Sequence, residues 1–110
     1  MMQREPLRPI DFRKLKDRVP IARVLELIGW QPVVTRGPQL RGPCPVHKSN
    51  SEGSQTFAVN TDKNGFNCFK CGESGNQLDL AAHHFGIEKG QIVRASVRLC
   101  RELGIEIPRK

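Results

Sequence analysis

The sequence lacks the residue patterns on which common enzyme active sites are built. Its 110 residues contain no glycine-rich phosphate loop followed by Lys-Ser/Thr, no pairing of a nucleophile with a base, and no carboxylate pair flanked by ligands. The aspartates are dispersed along the chain. We therefore predict no catalytic residues and no enzyme activity for this chain by itself.

Long apolar runs are also missing. No segment approaches the roughly 20 apolar residues that cross a membrane, so we expect no membrane partner. The first six residues, Met-Met-Gln-Arg-Glu-Pro, hold no apolar stretch of signal-peptide length, and nothing directs the cysteines to an oxidising compartment. These features favour a cytoplasmic protein without disulfides.

Acidic residues are scarce relative to basic ones. The chain has 18 Lys and Arg against 11 Asp and Glu, a net charge of +7. The excess is greatest over residues 1–43, where nine basic residues face four acidic ones. Such a balance favours a polyanionic partner, usually a nucleic acid, although a solvated surface is the alternative explanation.

Two short clusters indicate a metal site. The first is Cys44-Pro-Val-His47 and the second, after twenty intervening residues, is Cys68-Phe-Lys-Cys71. Each places two soft ligands on one tight turn, as in structural zinc ribbons. Four protein ligands fill a tetrahedral ion and leave no position for substrate, so we predict one structural Zn²⁺ bound by Cys44, His47, Cys68 and Cys71. Iron in the same site is the alternative metal.

Other histidines and cysteines fit the pattern less well. Eleven residues separate His83 from Cys71, nearly as in a classical finger, but His84 is adjacent to His83 and the two side chains point about 100° apart on a helix. Cys100 lies on the apolar face of a predicted helix, which favours a small buried side chain. With six aromatic residues in the chain, we expect Phe57, Phe66 and Phe69 to be buried around the metal rather than exposed to stack on bases.

Local patterns predict an order of elements. Residues 1–9 are expected to form a flexible basic arm, and residues 10–107 the zinc-binding domain. Caps and apolar spacing predict four helices, and alternating β-type residues with turn signals predict two hairpins. The predicted helices cover residues 12–17, Ile21–Ile28, Gln77–Phe85 and Ile92–Leu103, and the hairpins cover residues 33–41 and 56–68.

The motifs resemble one family. The run from Gly37 to His47, the segment Thr56-Phe-Ala-Val59, and the turn Cys68-Phe-Lys-Cys71-Gly-Glu-Ser-Gly75 are similar to the zinc-binding domain of bacterial DnaG-type DNA primases. The similarity covers about residues 10–107. It implies an α+β fold, a zinc ribbon whose small antiparallel sheet carries the metal between N- and C-terminal helices.

The resemblance also implies a function in DNA replication. Domains of this family contact single-stranded template DNA and help to choose where a primer begins, beside a separate polymerase core. Carried over by position, the metal ligands are Cys44, His47, Cys68 and Cys71. The predicted nucleic-acid contacts are Arg36, Arg41 and Lys70, with a replicative helicase or a primase catalytic core as protein partner.

Two other functions stay open at this point. One is a zinc-stabilised module that docks on a replication or mobile-element protein, for which an apolar surface patch is expected. The other is a redox switch or enzyme that uses Cys100 or a labile zinc thiolate. The acidic motifs of a polymerase core are not in these residues, so the chain is expected to be a primase domain or a free-standing relative.

Overall fold

The computed structural model of the protein describes residues 8–46 and 54–110. Within them the chain forms four helices and five strands, an arrangement that confirms the predicted α+β class. In chain order the elements are α1 (Phe12–Arg18), α2 (Ile21–Ile28), β1 (Val34–Arg36), β2 (Gln39–Gly42), β3 (Phe57–Asn60), β4 (Gly65–Cys68), β5 (Ser74–Asn76), α3 (Gln77–Phe85) and α4 (Ile92–Leu103).

The strands form one antiparallel sheet in the order β1-β2-β3-β4-β5. Because side chains alternate along a strand, the register separates two faces. One face packs into the core and includes Phe57, Val59, Phe66 and Cys68, all at most 5% exposed. The opposite face carries Arg41, which pairs with Ala58, whose next cross-strand neighbour is Asn67.

The helices begin and end where local chemistry predicts. Asp11 accepts a hydrogen bond from the Lys14 N–H and caps α1, and Asn76 caps α3 through the N–H groups of Leu78 and Asp79. Gly29, Gly86 and Gly104 end α2, α3 and α4 in the left-handed conformation. The bounds predicted for these last three helices are confirmed residue for residue.

Two features were not predicted from the sequence. The short strand β5 pairs with β4 and leads directly into α3, so the turn that carries Cys71 is held between two strands. Gln77 is buried at the start of α3, where its amide donates to the carbonyls of Lys16 and Val19 at the end of α1. These two hydrogen bonds satisfy carbonyl groups at the end of α1, which would otherwise have no partner.

The two ends of the described chain lie side by side. Ile10 and Arg109 form an isolated antiparallel bridge, and the Lys110 N–H donates to the Pro9 carbonyl. Most of the predicted N-terminal arm, residues 1–7, lies outside the described residues. No helix in residues 8–46 and 54–110 is long and apolar enough to span a membrane.

Candidate metal centre and the adjoining sheet face

Three of the predicted ligands come together. Cys44 follows β2 by two residues, Cys68 ends β4, and Cys71 lies in the turn before β5. Their sulfur atoms all lie within 4.8 Å of one another. A tetrahedral zinc ion with Zn–S bonds of about 2.3 Å separates its sulfurs by roughly 3.8 Å, so the three thiols are spaced to share one ion. The soft donor set and its spacing fit zinc.

A tryptophan positions the first ligand. The Trp30 indole N–H donates a 2.6 Å hydrogen bond to the carbonyl of Pro43, and the ring contacts Phe57 edge to face at 5.5 Å. Gly42 lies beneath this ring, where an added Cβ would stand 2.8 Å from Trp30 Cζ2. The indole therefore holds the chain against the core immediately before Cys44, which is itself 1% exposed.

The second ligand turn is held by backbone hydrogen bonds. The Gly72 N–H donates to the Cys68 carbonyl at 2.9 Å, and the Cys68 N–H donates to the Glu73 carbonyl at 2.8 Å. Gly72 adopts a φ of +79°, which favours glycine. The Cys71 N–H points at the Cys68 sulfur at 3.4 Å, an arrangement typical of cysteine turns that bind zinc.

These contacts change the acidity of Cys68. Burial of the thiol raises its pKa, but hydrogen bonds from the N–H groups of Cys71 and Lys70, and from the Cys71 and Cys44 thiols, outweigh burial. They lower the pKa from 9.0 to about 6. Cys68 is therefore a thiolate at neutral pH, the form in which cysteine binds metals.

Three other candidate residues from the sequence are His47, His83 and Cys100. His47 lies outside the described residues, and within those residues no histidine belongs to the cysteine cluster. His83 instead directs Nε2 at Glu73 Oε2, 3.2 Å away, with both atoms buried. Cys100 is 1% exposed, as predicted, and burial raises the pKa of its thiol while Arg18 lowers it by a smaller amount.

An exposed, polar sheet face adjoins the cysteines. We define it by Arg36, Gln39, Arg41, Asn60 and Asn67, which share one side of β1 to β4 by register. No strand of the described sheet contains an acidic residue. The predicted contacts Arg36 and Arg41 both belong to this face, and Lys70 is exposed in the turn that follows β4.

The prediction for the aromatic residues was right for two and wrong for one. Phe57 and Phe66 are buried, at 0% and 5% exposed, but Phe69 is 65% exposed. The Arg41 guanidinium lies 4.8 Å from the Phe69 ring centroid, a cation–π contact. The spacing contained the signal, because ligands at the first and fourth positions of a tight turn face inward and leave Phe69 and Lys70 on the outside.

Fold and donor set together define the class of protein. The chain forms a small antiparallel sheet whose turns bring three cysteines together. Helices precede and follow this sheet in the sequence. The arrangement is that of a zinc-binding module. The sequence model of the family described as CHC2 zinc finger matches residues 9–110, and the chain belongs to that family. Its cofactor is zinc, as predicted, and Cys44, Cys68 and Cys71 are close enough together to bind the ion.

Its relatives are DNA primases. The chain is 37% identical over 67 residues to a DNA primase of Pseudomonas putida, a match that covers 61% of this chain and 9% of that protein. It is 28% identical over 89 residues to the DNA primase of Listeria monocytogenes, covering 79% and 14% respectively. The chain thus spans about a tenth of the length of the curated relatives that it matches.

A solved structure has the same fold. It is described as the crystal structure of the Aquifex aeolicus primase with its zinc-binding and RNA polymerase domains. The TM-score is 0.68 at 22% sequence identity, over 90% of this chain and 23% of that one. The predicted resemblance to a primase zinc-binding domain is confirmed by the family match and by this fold.

Proposed function

We propose that this chain is a non-catalytic zinc module of DNA primase type that contacts single-stranded template DNA through its sheet face. The observation that carries the proposal is the pairing of Arg41 with the exposed Phe69 ring, directly beside the cysteine cluster. Relatives of the chain are DNA primases and the matched segment is a small part of each, which supports action beside a separate catalytic core.

In this proposal the zinc ion is structural, and His47 supplies its fourth ligand. Two residues separate His47 from Cys44, as two separate Cys68 from Cys71, and the family is described as CHC2, one histidine among three cysteines. A tetrahedral ion with four protein ligands has no position for water or substrate. The ion supplies stability, and the chain's side chains supply recognition.

Arg41 is held in place for a nucleic-acid contact. Its Nε and Nη2 groups both donate to the Gln55 carbonyl, at 3.0 and 2.7 Å, which fixes the guanidinium over Phe69. A base that stacks on the Phe69 ring would bring its phosphate close to Arg41 and to Lys70. Stacking on an aromatic residue next to basic side chains is how many proteins bind single strands.

The rest of the sheet face suits unpaired bases. Gln39 and Asn67 supply amides that can donate and accept hydrogen bonds. Asn60 Oδ1 already accepts from the N–H groups of Asp62 and Lys63, so the Asn60 amide can only donate to a base. Ala58 and Gly65 lie on the same face and add no bulky side chains to it. Bases present their Watson–Crick edges and their stacking faces to such a surface only when the strands are separated. We therefore expect single-stranded DNA to bind more tightly than duplex. A primase catalytic core or a replicative helicase remains the proposed protein partner.

Fluorescence anisotropy tests the proposal. The zinc-loaded protein is titrated onto labelled single-stranded and duplex oligonucleotides of equal length at several salt concentrations. With about three phosphates neutralised by Arg36, Arg41 and Lys70, the slope of log affinity against log salt should be about −2 for the single strand. The variant Arg36→Glu/Arg41→Glu should lose the preference for the single strand.

A matched variant controls for net charge. Arg94→Glu/Arg101→Glu changes the charge by the same amount on α4, and both of its arginines are exposed. It should bind the single strand as the unaltered protein does. Equal and weak binding of both oligonucleotides, or an equal loss in the two variants, would contradict template contact through the sheet face.

A further inference from the structure

A second basic surface lies on the helices. It is an open groove of about 400 Å³ between the end of α3 and one side of α4. Of the residues that the structure describes, three arginines line it, Arg94, Arg98 and Arg101, and no acidic residue does. We call it the helical groove. Apolar side chains line the space between the arginines; they are Phe85, Ile87, Val93 and Val97.

The core of the domain explains part of the apolar lining, because Phe85 and Val97 are partly buried against it, but it does not explain Val93. The inward face of α4 is formed by Ala95, Ser96, Leu99 and Cys100, all buried. Val93 lies outside that face and is 54% exposed. An aliphatic side chain in water next to arginines fits a partner that has both apolar and acidic groups.

The aromatic residue of the groove is already covered. The Arg98 guanidinium lies 5.0 Å from the Phe85 ring centroid, and the His84 ring lies 5.1 Å from it. Arg41 contacts Phe69 in the same way, but Phe69 is 65% exposed, whereas Phe85 is half-buried against the core and offers less free ring surface to a base. Aliphatic side chains such as Val93 offer no aromatic platform either, so the groove suits a protein partner better than a nucleic acid.

Two of the three arginines are oriented by neighbouring side chains before any partner binds. Arg94 donates to the Gln91 side chain at 2.7 Å, and Arg98 lies 3.8 Å from Glu102. Arg94 and Arg101 are seven residues apart, two helical turns or about 10 Å along α4. Side chains that are already oriented lose less conformational entropy on binding, and a guanidinium can hold a carboxylate by two hydrogen bonds.

We propose that the helical groove is a docking site for an amphipathic helix of another protein, one that carries glutamates or aspartates beside its apolar face. Within the described residues no strand edge borders the groove, so an extended peptide has no backbone to pair with. A helix places carboxylates at intervals of four and three residues, which matches Arg94, Arg98 and Arg101. Its apolar side chains cover Val93 and Val97.

The test uses a synthetic probe. A labelled amphipathic peptide, with leucines on one helical face and glutamates flanking them, is titrated against the zinc-loaded protein by anisotropy. A scrambled peptide of the same composition is the first control. We expect the amphipathic peptide to bind more tightly than the scrambled one. Arg94→Glu/Arg101→Glu should weaken its binding about tenfold or more, because two attractive charges become repulsive.

Two further variants make the result specific to the groove. Val93→Ser should also weaken peptide binding while leaving single-stranded DNA binding unchanged. Arg36→Glu/Arg41→Glu, with the same change in charge, should leave peptide binding within twofold of the unaltered protein, roughly the error of the measurement. Zinc content and circular dichroism are measured for every variant to check that it is folded. The variants should fold, because all four arginines are at the surface or on the sheet face.

Several outcomes would overturn the docking proposal. Equal binding of the two peptides would show that charge alone attracts them. Unchanged peptide binding in Arg94→Glu/Arg101→Glu would place the contact elsewhere. Loss of single-stranded DNA binding in that variant, without loss of the peptide, would make the helical groove a nucleic-acid surface. If the sheet face does not bind DNA, the proposed function fails but the docking proposal does not, because the peptide assay contains no DNA.

Discussion

Arginines lie on two surfaces of this protein, and each surface surrounds them with different side chains. On the sheet face Arg41 has amides around it and the exposed ring of Phe69 beneath it. In the helical groove Arg98 covers Phe85, and exposed Val93 lies nearby. Positive charge alone therefore does not identify the partner of either surface. The groups next to the charge decide whether a base or an apolar side chain can be buried beside it.

Zinc removal should have the largest predicted effect, and it should destabilise the sheet more than the helices that form the helical groove. Structural zinc contributes roughly 10–16 kcal/mol in small zinc-binding peptides near neutral pH. The cluster joins the ends of β2 and β4, so chelation should remove amide-exchange protection from the sheet and abolish oligonucleotide binding. Amides of α4 should lose less protection. The variant Cys100→Ala keeps the cluster and should retain zinc; equal loss of protection in sheet and helices would contradict this view.

Lowering the pH should also release zinc, but more gradually than a chelator does. In the metal-free protein the pKa of Cys68 is lowered from 9.0 to about 6, so the thiolate that first meets zinc is present above about pH 6 and is protonated as the pH falls through that value. Protons then compete with zinc for the thiolates, and bound zinc shifts this competition to lower pH. We expect zinc occupancy to be unchanged between about pH 8 and pH 7 and to fall below about pH 6. Release of zinc to a chromophoric indicator measures this, and half-release at neutral pH would contradict the prediction.

Replacement of Phe69 should act on one surface alone. Stacking of a base on an aromatic ring is worth roughly 1–3 kcal/mol, so Phe69→Ala should weaken single-stranded DNA binding about 5- to 150-fold. Because the ring is 65% exposed, the melting temperature should hardly change. Phe69→Trp should keep the affinity, and Val93→Ala in the helical groove should not alter it. An unaffected Phe69→Ala variant would remove the stacking platform from the proposal.

The last predicted effect is on folding stability alone and concerns the segment that connects the sheet to α3. Gly75 precedes α3 with a φ of +158°, and a Cβ there would stand 2.6 Å from the Cβ of Asp79, the residue that completes the capping box. Gly75→Ala should therefore lower the free energy of unfolding by about 1–3 kcal/mol.

Gly29→Ala is the matched control for that substitution. Its φ of +75° is left-handed, and no atom of the described residues lies within 4 Å of the added Cβ, so Gly29→Ala should cost about 1–2 kcal/mol from strain alone. Urea unfolding of both variants compares them. A smaller cost for Gly75→Ala than for Gly29→Ala would show that Asp79 moves aside without loss.

Much of the fold could be predicted because its signals are local. Asn76 and Gly86 bound α3 by capping and by the left-handed conformation, which depend on neighbouring residues only. The grouping of Cys44, Cys68 and Cys71 was also predictable, since spacing on tight turns limits which ligands can meet. The fourth ligand, His47, stays a prediction because it lies outside the described residues.

The features that were missed depend on distant partners. Strand β5 spans only three residues, Ser74–Asn76, and exists because β4 offers it an edge. Burial of Gln77 depends on carbonyls of α1 that lie about sixty residues away in the chain, as its 58- and 61-residue separations from Val19 and Lys16 show. No pattern within a short window of sequence contains such information.

The helices, the metal-binding turns, the basic charge and the family resemblance could all be predicted from the sequence, because each follows from residue type and short-range spacing. Which arginines share a surface, and which side chains lie beside them, depends on the folded structure. Arg41 meets Phe69 only through the pairing of β2, β3 and β4, and Arg98 covers Phe85 only because α3 packs on α4. The physical reason is that a side chain's environment is set by contacts between residues far apart in the chain, and those contacts exist only once the chain has folded.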